Sequence, residues 1–176
     1  ASNNSYSIYL YSSSNNIISN NSASTTRVYG IYLYASSNNL ISNNTASNNS
    51  YGMYVDSSDN STISNNTVSN SLYGMYLDSS DNSTIVNNTA FSNNNYGIYL
   101  FSSCSNSTIV NNTAFSNDYG GIHSSCSNSN ISNNTAYSNN ERGIDVSFSS
   151  NSTISNNNVS NNKRGISLVY ASYNTL

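Results

Sequence analysis

The segment 51–68, YGMYVDSSDNSTISNNTV, returns almost unchanged at 73–90 as YGMYLDSSDNSTIVNNTA. The NNT mark of this unit, or a variant of it, ends at Ser22, Thr45, Thr67, Thr89, Thr113, Thr135 and Asn158, in steps of 23, 22, 22, 24, 22 and 23 residues. A fixed period in this range is the signature of a solenoid, a propeller or an array. The chain is one supersecondary unit copied end to end, so its function has to be sought in what the copies build and in where they differ.

Inside one unit the apolar residues alternate over short runs. Met53 and Val55 point one way and Tyr54 and Asp56 the other, with Ile63 and Val68 following after turns. Period two over three to six residues marks half-buried strands, and the Asn, Ser and Gly between them mark turns. Three short strands per unit close into a triangular or oval rung, and rungs stack ~4.8 Å apart as a parallel β-helix. The expected core is a set of columns, among them Ile31, Met53, Met75 and Ile98; Leu33, Val55, Leu77 and Leu100; Ile41, Ile63, Ile85 and Ile109; Ala46, Val68, Ala90 and Ala114. Asparagine is expected at the bends, where it tolerates left-handed backbone, and in stacked ladders. The glycines before each long strand, such as Gly30, Gly52 and Gly74, are expected at corners that need positive φ. One rung is irregular: aligning on Gly-Ile puts Ile122 over Ile98, whereas aligning on cysteine puts it over Leu100, so the strand between Tyr119 and Cys126 is expected to be shortened or bulged.

Composition removes several alternatives. Ser and Asn make up nearly half of the 176 residues, which invites a disordered reading, but only 6% of residues are charged and the apolar ones are periodic. Four cationic residues and a net charge of −3 cannot neutralise a row of phosphates, so nucleic acid is not an expected partner. No run approaches the ~20 apolar residues of a membrane span.

Units of the form NNTISNNTxSNNxYGIYL resemble the parallel β-helix repeats of NosD-like periplasmic proteins, carbohydrate-active β-helix enzymes and archaeal cell-surface proteins. The resemblance covers essentially the whole chain and implies an all-β, right-handed parallel β-helix of about eight rungs, one domain over residues 1–176. With so little charge, the chain looks most like the cell-surface type. The expectation is an extracellular structural protein without enzymatic activity or organic cofactor, a building block of a layer, sheath or fibre. Carbohydrate binding or processing is the alternative, and a NosD-like part in metal-centre maturation a third reading. Both chain ends fall in mid-repeat without a polar cap, so head-to-tail pairing with further copies into a filament is expected.

The candidate sites follow the repeat. Asp56 stacks with Asp78 and Asp59 with Asp81, an arrangement that suits calcium or, as the resemblance to β-helix polysaccharide hydrolases implies, an acid and base pair. Solvated turn residues are the plainer reading. Cys104 and Cys126 lie 22 apart, read as the column of Asp59 and Asp81, and adjacent rungs bring such a pair within disulfide reach. Sequons fall at Asn43, Asn65, Asn87, Asn111 and Asn133, a row of expected glycans, and at Asn60, Asn82, Asn106 and Asn151, with others at Asn3, Asn20, Asn48, Asn130 and Asn158. Tyr9, Tyr32, Tyr54, Tyr76 and Tyr99 form an outward ladder beside Tyr6, Tyr29, Tyr51, Tyr73 and Tyr96; a flat aromatic face of this kind suits sugar rings or another protein. Phe91, Phe115 and Tyr137 suggest a shorter third column. Toward the C-terminus the corner column changes to Arg142 and Arg164, beside Glu141 and Lys163. His123, the one histidine, is expected at the surface without an acid partner. An enzyme should gather unique residues at one place in the repeat, whereas a scaffold should keep its copies alike.

Overall fold

The computed structural model describes residues 4–102 and 104–176; the sequon at Asn3 lies outside them. The described chain is a parallel β-solenoid of about seven turns with no helix. Three sheets run its length. The first holds eight strands, from Tyr6–Tyr11 to Arg164–Val169, and the other two hold seven each. Every strand pairs in parallel with its copy in the next turn, and like residues meet: Ile31 pairs Met53, Met53 pairs Met75 and Met75 pairs Ile98.

The core is the set of columns that the repeat implies. Ile31, Leu33, Ile41, Met75, Leu77, Ile85, Ile98 and Leu100 are all fully buried. Each such side chain contributes about 1.5–3 kcal/mol, so a narrow interior needs few of them per turn. The low apolar content follows from this geometry.

Two kinds of asparagine hold the corners. Asn43, Asn65, Asn87, Asn111 and Asn133 are exposed, with φ between 55° and 56°. The residue after each of them points inward instead. Asn66 Nδ2 donates to Ile41 O at 2.9 Å and to Asn88 Oδ1 at 3.0 Å, and its backbone N–H donates to the same Oδ1 at 2.9 Å. The pattern repeats from Asn21 to Asn157, so a buried polar row is satisfied along its whole length.

The glycines differ from expectation: no described glycine has positive φ. They are needed for space. A Cβ at Gly30 would lie 2.5 Å from Gly52 O and 2.8 Å from Asn49 Nδ2, where a second asparagine ladder crosses. Left-handed backbone is taken instead by Asn, Ser and other non-glycine residues at the turns.

The irregular rung resolves in favour of the Gly-Ile alignment. Ile98 pairs Ile122, Tyr99 pairs His123 and Leu100 pairs Ser124. Cys104 and Cys126 are disulfide-bonded with Cα atoms 4.9 Å apart. Four positions separate Leu100 from Cys104 but two separate Ser124 from Cys126, so the missing residues come from the turn after the strand. The cysteines continue the column of Ser58 and Ser80, whose hydroxyls cap the backbone of the preceding turn. The column of Asp59 and Asp81 passes to Ser105, whose N–H donates to Asp81 Oδ1, which corrects the alignment read from the sequence by one position.

Candidate functional site

The outward column of the first sheet reads Tyr9, Tyr32, Tyr54, Tyr76, Tyr99, then His123, Asp145 and Ser167. The corner column beside it reads Tyr6, Tyr29, Tyr51, Tyr73, Tyr96, then Gly120, Arg142 and Arg164. Where the tyrosines stop, a groove of about 490 Å³ opens, lined among others by Tyr96, Tyr99, Tyr119, His123, Arg142 and Asp145.

Asp145 is the centre of this groove, and it is fully buried. Its Oδ2 accepts from Arg142 Nη1, from His123 Nδ1 at 2.9 Å and from Tyr96 Oη at 3.3 Å; its Oδ1 accepts from Ser147 Oγ at 3.3 Å. Burial alone would raise its pKa, but the His123 bond and the Arg142 charge outweigh burial and hold the carboxyl below its ordinary value. An ionised carboxylate only accepts hydrogen bonds, so His123 Nδ1 carries a proton. In the neutral ring the lone pair then sits on Nε2, which has no protein partner among the described residues. The ring is stacked on Tyr99, with centroids 4.5 Å apart and planes at 15°, so its orientation is fixed from two sides.

Tyr96 reaches Asp145 across two turns because Gly120 lies between them. A Cβ at Gly120 would clash with the Tyr96 ring, 2.7 Å from Cδ1. The ring fills that gap and is 5% exposed. Burial first, and then the Asp145 charge, push its phenol well above the ordinary tyrosine value, so it stays a donor. Arg142 lies over the Tyr119 ring, 5.5 Å from its centroid, and its Nε is buried without a partner among the described residues. An orphaned guanidinium N–H buried in this way is costly.

His123 is therefore not the unpartnered surface residue expected from sequence. The signal was present: Asp145 follows it by 22 residues and Arg142 follows Gly120 by 22, the repeat spacing itself. The unique residues are gathered at one place, which is the mark set out above for an enzyme.

The predicted aspartates, cysteines and sequon asparagines do not line the groove, whereas Tyr73, Tyr96 and Tyr99 of the ladders do. Asp56 pairs Asp78 in register, and Asp59 Oδ1 caps the Asp81 N–H at 2.8 Å. Among the described residues no three acidic, His or Cys side chains converge on a metal position, so the four aspartates do not form one cage. Asn43, Asn65, Asn87, Asn111, Asn133, Asn60, Asn82, Asn106 and Asn151 are all exposed at positive φ. The tyrosine ladders do stack, as Tyr32 and Tyr54 do at 5.2 Å and 6°. The rings from Tyr6 to Tyr54 largely lie face to face, whereas Tyr76 stands edge-on to Tyr51, Tyr54 and Tyr73. Phe91, Phe115 and Tyr137 stack likewise on the third sheet, and Lys163 pairs Glu141 at 2.9 Å.

The family model for a right-handed β-helix region matches residues 1–130 and 105–176. The chain belongs to this family. Solved structures similar to this β-helix include a T265N mutant of the periplasmic alginate epimerase AlgG, with TM-score 0.85, 19% identity, and 98% of this chain and 49% of that one covered. The A-module of the Azotobacter vinelandii mannuronan C-5 epimerase AlgE4 gives TM-score 0.85 and 20% identity over 96% of this chain and 52% of that one. The chain thus spans about half the length of these structures, and at this identity the likeness is one of fold. Among curated proteins no sequence matches this β-helix significantly.

Proposed function

We propose that this β-helix acts on an acidic carbohydrate laid in the His123 groove, by removing a proton from the carbon next to a sugar carboxylate. The carrying observation is the buried Asp145 that orients His123 and engages Arg142. A positioned His with a free Nε2 is a general base. Arg142 neutralises the substrate carboxylate and the negative charge that develops on it when the proton leaves. Tyr119, 40% exposed on the rim, supplies a phenol to return a proton. Return from the opposite face inverts the centre; if the phenol proton goes instead to the neighbouring glycosidic oxygen as its bond to carbon breaks, the chain is cleaved to an alcohol and an unsaturated sugar. Three of the four cationic residues, Arg142, Lys163 and Arg164, lie in the last two turns, which favours an anionic ligand at that end.

The likeness in fold to alginate and mannuronan epimerases supports a substrate of this class. The disulfide fits an oxidising compartment outside the cytoplasm, and AlgG, similar in fold, is a periplasmic epimerase. Incubation with polymannuronate and other polyuronates in deuterated water tests the reading. Deuterium at the carbon beside the carboxylate, or an unsaturated product, is expected from the unaltered chain and not from His123→Ala. No exchange with any polyuronate, or full turnover by His123→Ala, overturns it.

A further inference from the structure

After seven of the eight long strands of the first sheet the next residue turns the corner with left-handed backbone. It is Ser12, Ala35, Ser57, Ser79 and Ser102 in five turns, with φ of 47–60°. In the last two turns the same corner holds Phe148 at φ 54° and Tyr170 at φ 51°. Bulky residues are uncommon at positive φ, and these gain little from the fold in return. They are 71% and 81% exposed, and neither belongs to the core cluster. Their rings stack on each other at 5.3 Å and 19°, which covers one face of Phe148 and leaves the other open toward the groove it lines.

The turn above Phe148 is the shortened one. No residue from 117 to 127 has positive φ, so the corner that would stand between Ser102 and Phe148 is missing. Ser125 lines the gap, and Phe101, 44% exposed, stands on its far side, stacked on Tyr99. Phe101 and Phe148 are two turns apart, roughly 9.6 Å along the axis. The wall of the groove is thus notched, with an exposed ring on either side.

We propose that the open face of Phe148, backed by Tyr170, is a stacking subsite for a pyranose ring of the carbohydrate chain whose neighbouring residue lies over His123. This rests on the carbohydrate reading above and adds to it where the chain leaves the groove. The apolar face of a pyranose packs on an aromatic ring while its hydroxyls stay wet, which matches a ring set among serines. A protein partner is a poorer match: two rings offer roughly 300–500 Å², well below the ~1,200 Å² of a stable interface.

The test compares Phe148→Ser, the residue most other turns use there, with Phe148→Trp. The chain has no tryptophan, so the second variant carries a unique fluorophore. The probes are polymannuronate and a neutral glucan, with binding followed by calorimetry and by tryptophan emission. Phe148→Ser is expected to weaken polyuronate binding roughly three- to tenfold without changing the melting temperature, while Phe148→Trp keeps affinity and shifts its emission on binding. Unchanged affinity in Phe148→Ser, or unmoved emission in Phe148→Trp at saturating polymannuronate, overturns the subsite and leaves the groove reading standing. Failure of the unaltered chain to bind any carbohydrate overturns both. Self-association of the unaltered chain that Phe148→Ser abolishes, with carbohydrate affinity intact, assigns the rings to a second copy and also overturns the subsite.

Discussion

Removing the charge of Asp145 tests whether the groove is organised by one buried carboxylate. In Asp145→Asn the shape is kept, and the amide oxygen can still accept from Tyr96 and His123. The charge opposite Arg142 is lost. Breaking a buried ion pair typically costs 3–5 kcal/mol, but the Arg142 side chain is 20% exposed and water recovers part of that, so about 2–3 kcal/mol is expected. Arg142→Met leaves the carboxylate fully buried with only neutral donors and should cost about 3–4 kcal/mol. The double variant removes both charges and should cost about 1–2 kcal/mol, against about 5–7 kcal/mol for the two single costs added, a coupling of about 4–5 kcal/mol. Urea unfolding at neutral pH measures all four corners of the cycle. Because the folded pKa of Asp145 is depressed, its contribution is complete above the unfolded value near 3.9 and is lost as pH falls through the lower folded value. The unaltered chain should therefore lose its advantage over Asp145→Asn only in acid. Additive costs in the cycle, or an advantage independent of pH, refute the argument.

Gly120→Ala should push the Tyr96 ring out of its gap, costing about 1–3 kcal/mol and giving Tyr96 the near-ultraviolet signature of an exposed phenol. Asn88→Leu removes the acceptor of the Asn66 N–H and the donor to Ile63 O, and should cost about 2–5 kcal/mol by denaturation. Reduction of the Cys104–Cys126 bridge, which closes a 22-residue loop, should cost about 3 kcal/mol, read as a lower melting temperature in dithiothreitol.

The sheets and the core were legible because the period is short and the copies are close. Met53 over Met75 and Ile63 over Ile85 need only subtraction. The glycines misled because Gly30 and its copies sit beside corners, and a residue beside a corner reads like one in it. Only the packed structure shows that the Asn49 and Asn93 side chains cross there. His123 misled for another reason. The repeat aligns residues that recur, while His123 and Asp145 each occur once in their column. Their spacing carried the information, but their identities broke the column, so no copy drew attention to the pair. The tilt of Tyr96 through the space of Gly120 has no sequence signal short of the structure, since it joins residues two turns apart.

A scaffold and an enzyme distribute departures from the repeat differently, and this allows a last test. The Ile98–Ile122–Ile144 column and the asparagine ladders pass through the irregular turn, where Ser124 replaces the apolar residue of the Leu100–Val146 column, so the inward framework continues past the outward positions that changed. Gly120, His123, Arg142 and Asp145 all stand where earlier turns carry tyrosine. Restoring the two ladders with Gly120→Tyr, His123→Tyr, Arg142→Tyr and Asp145→Tyr together should move Tyr96 back into its column and continue the stack. Each new aromatic pair contributes about 0.5–1.5 kcal/mol, and replacing a buried ion pair by packed rings is commonly neutral or stabilising by about 1–4 kcal/mol. The restored chain should therefore melt higher than the unaltered one while losing the groove and all polyuronate exchange, the trade-off expected where residues are kept for chemistry at the expense of stability. A lower melting temperature would mean that these four residues serve the fold, and the groove would then be a consequence of packing instead of a site.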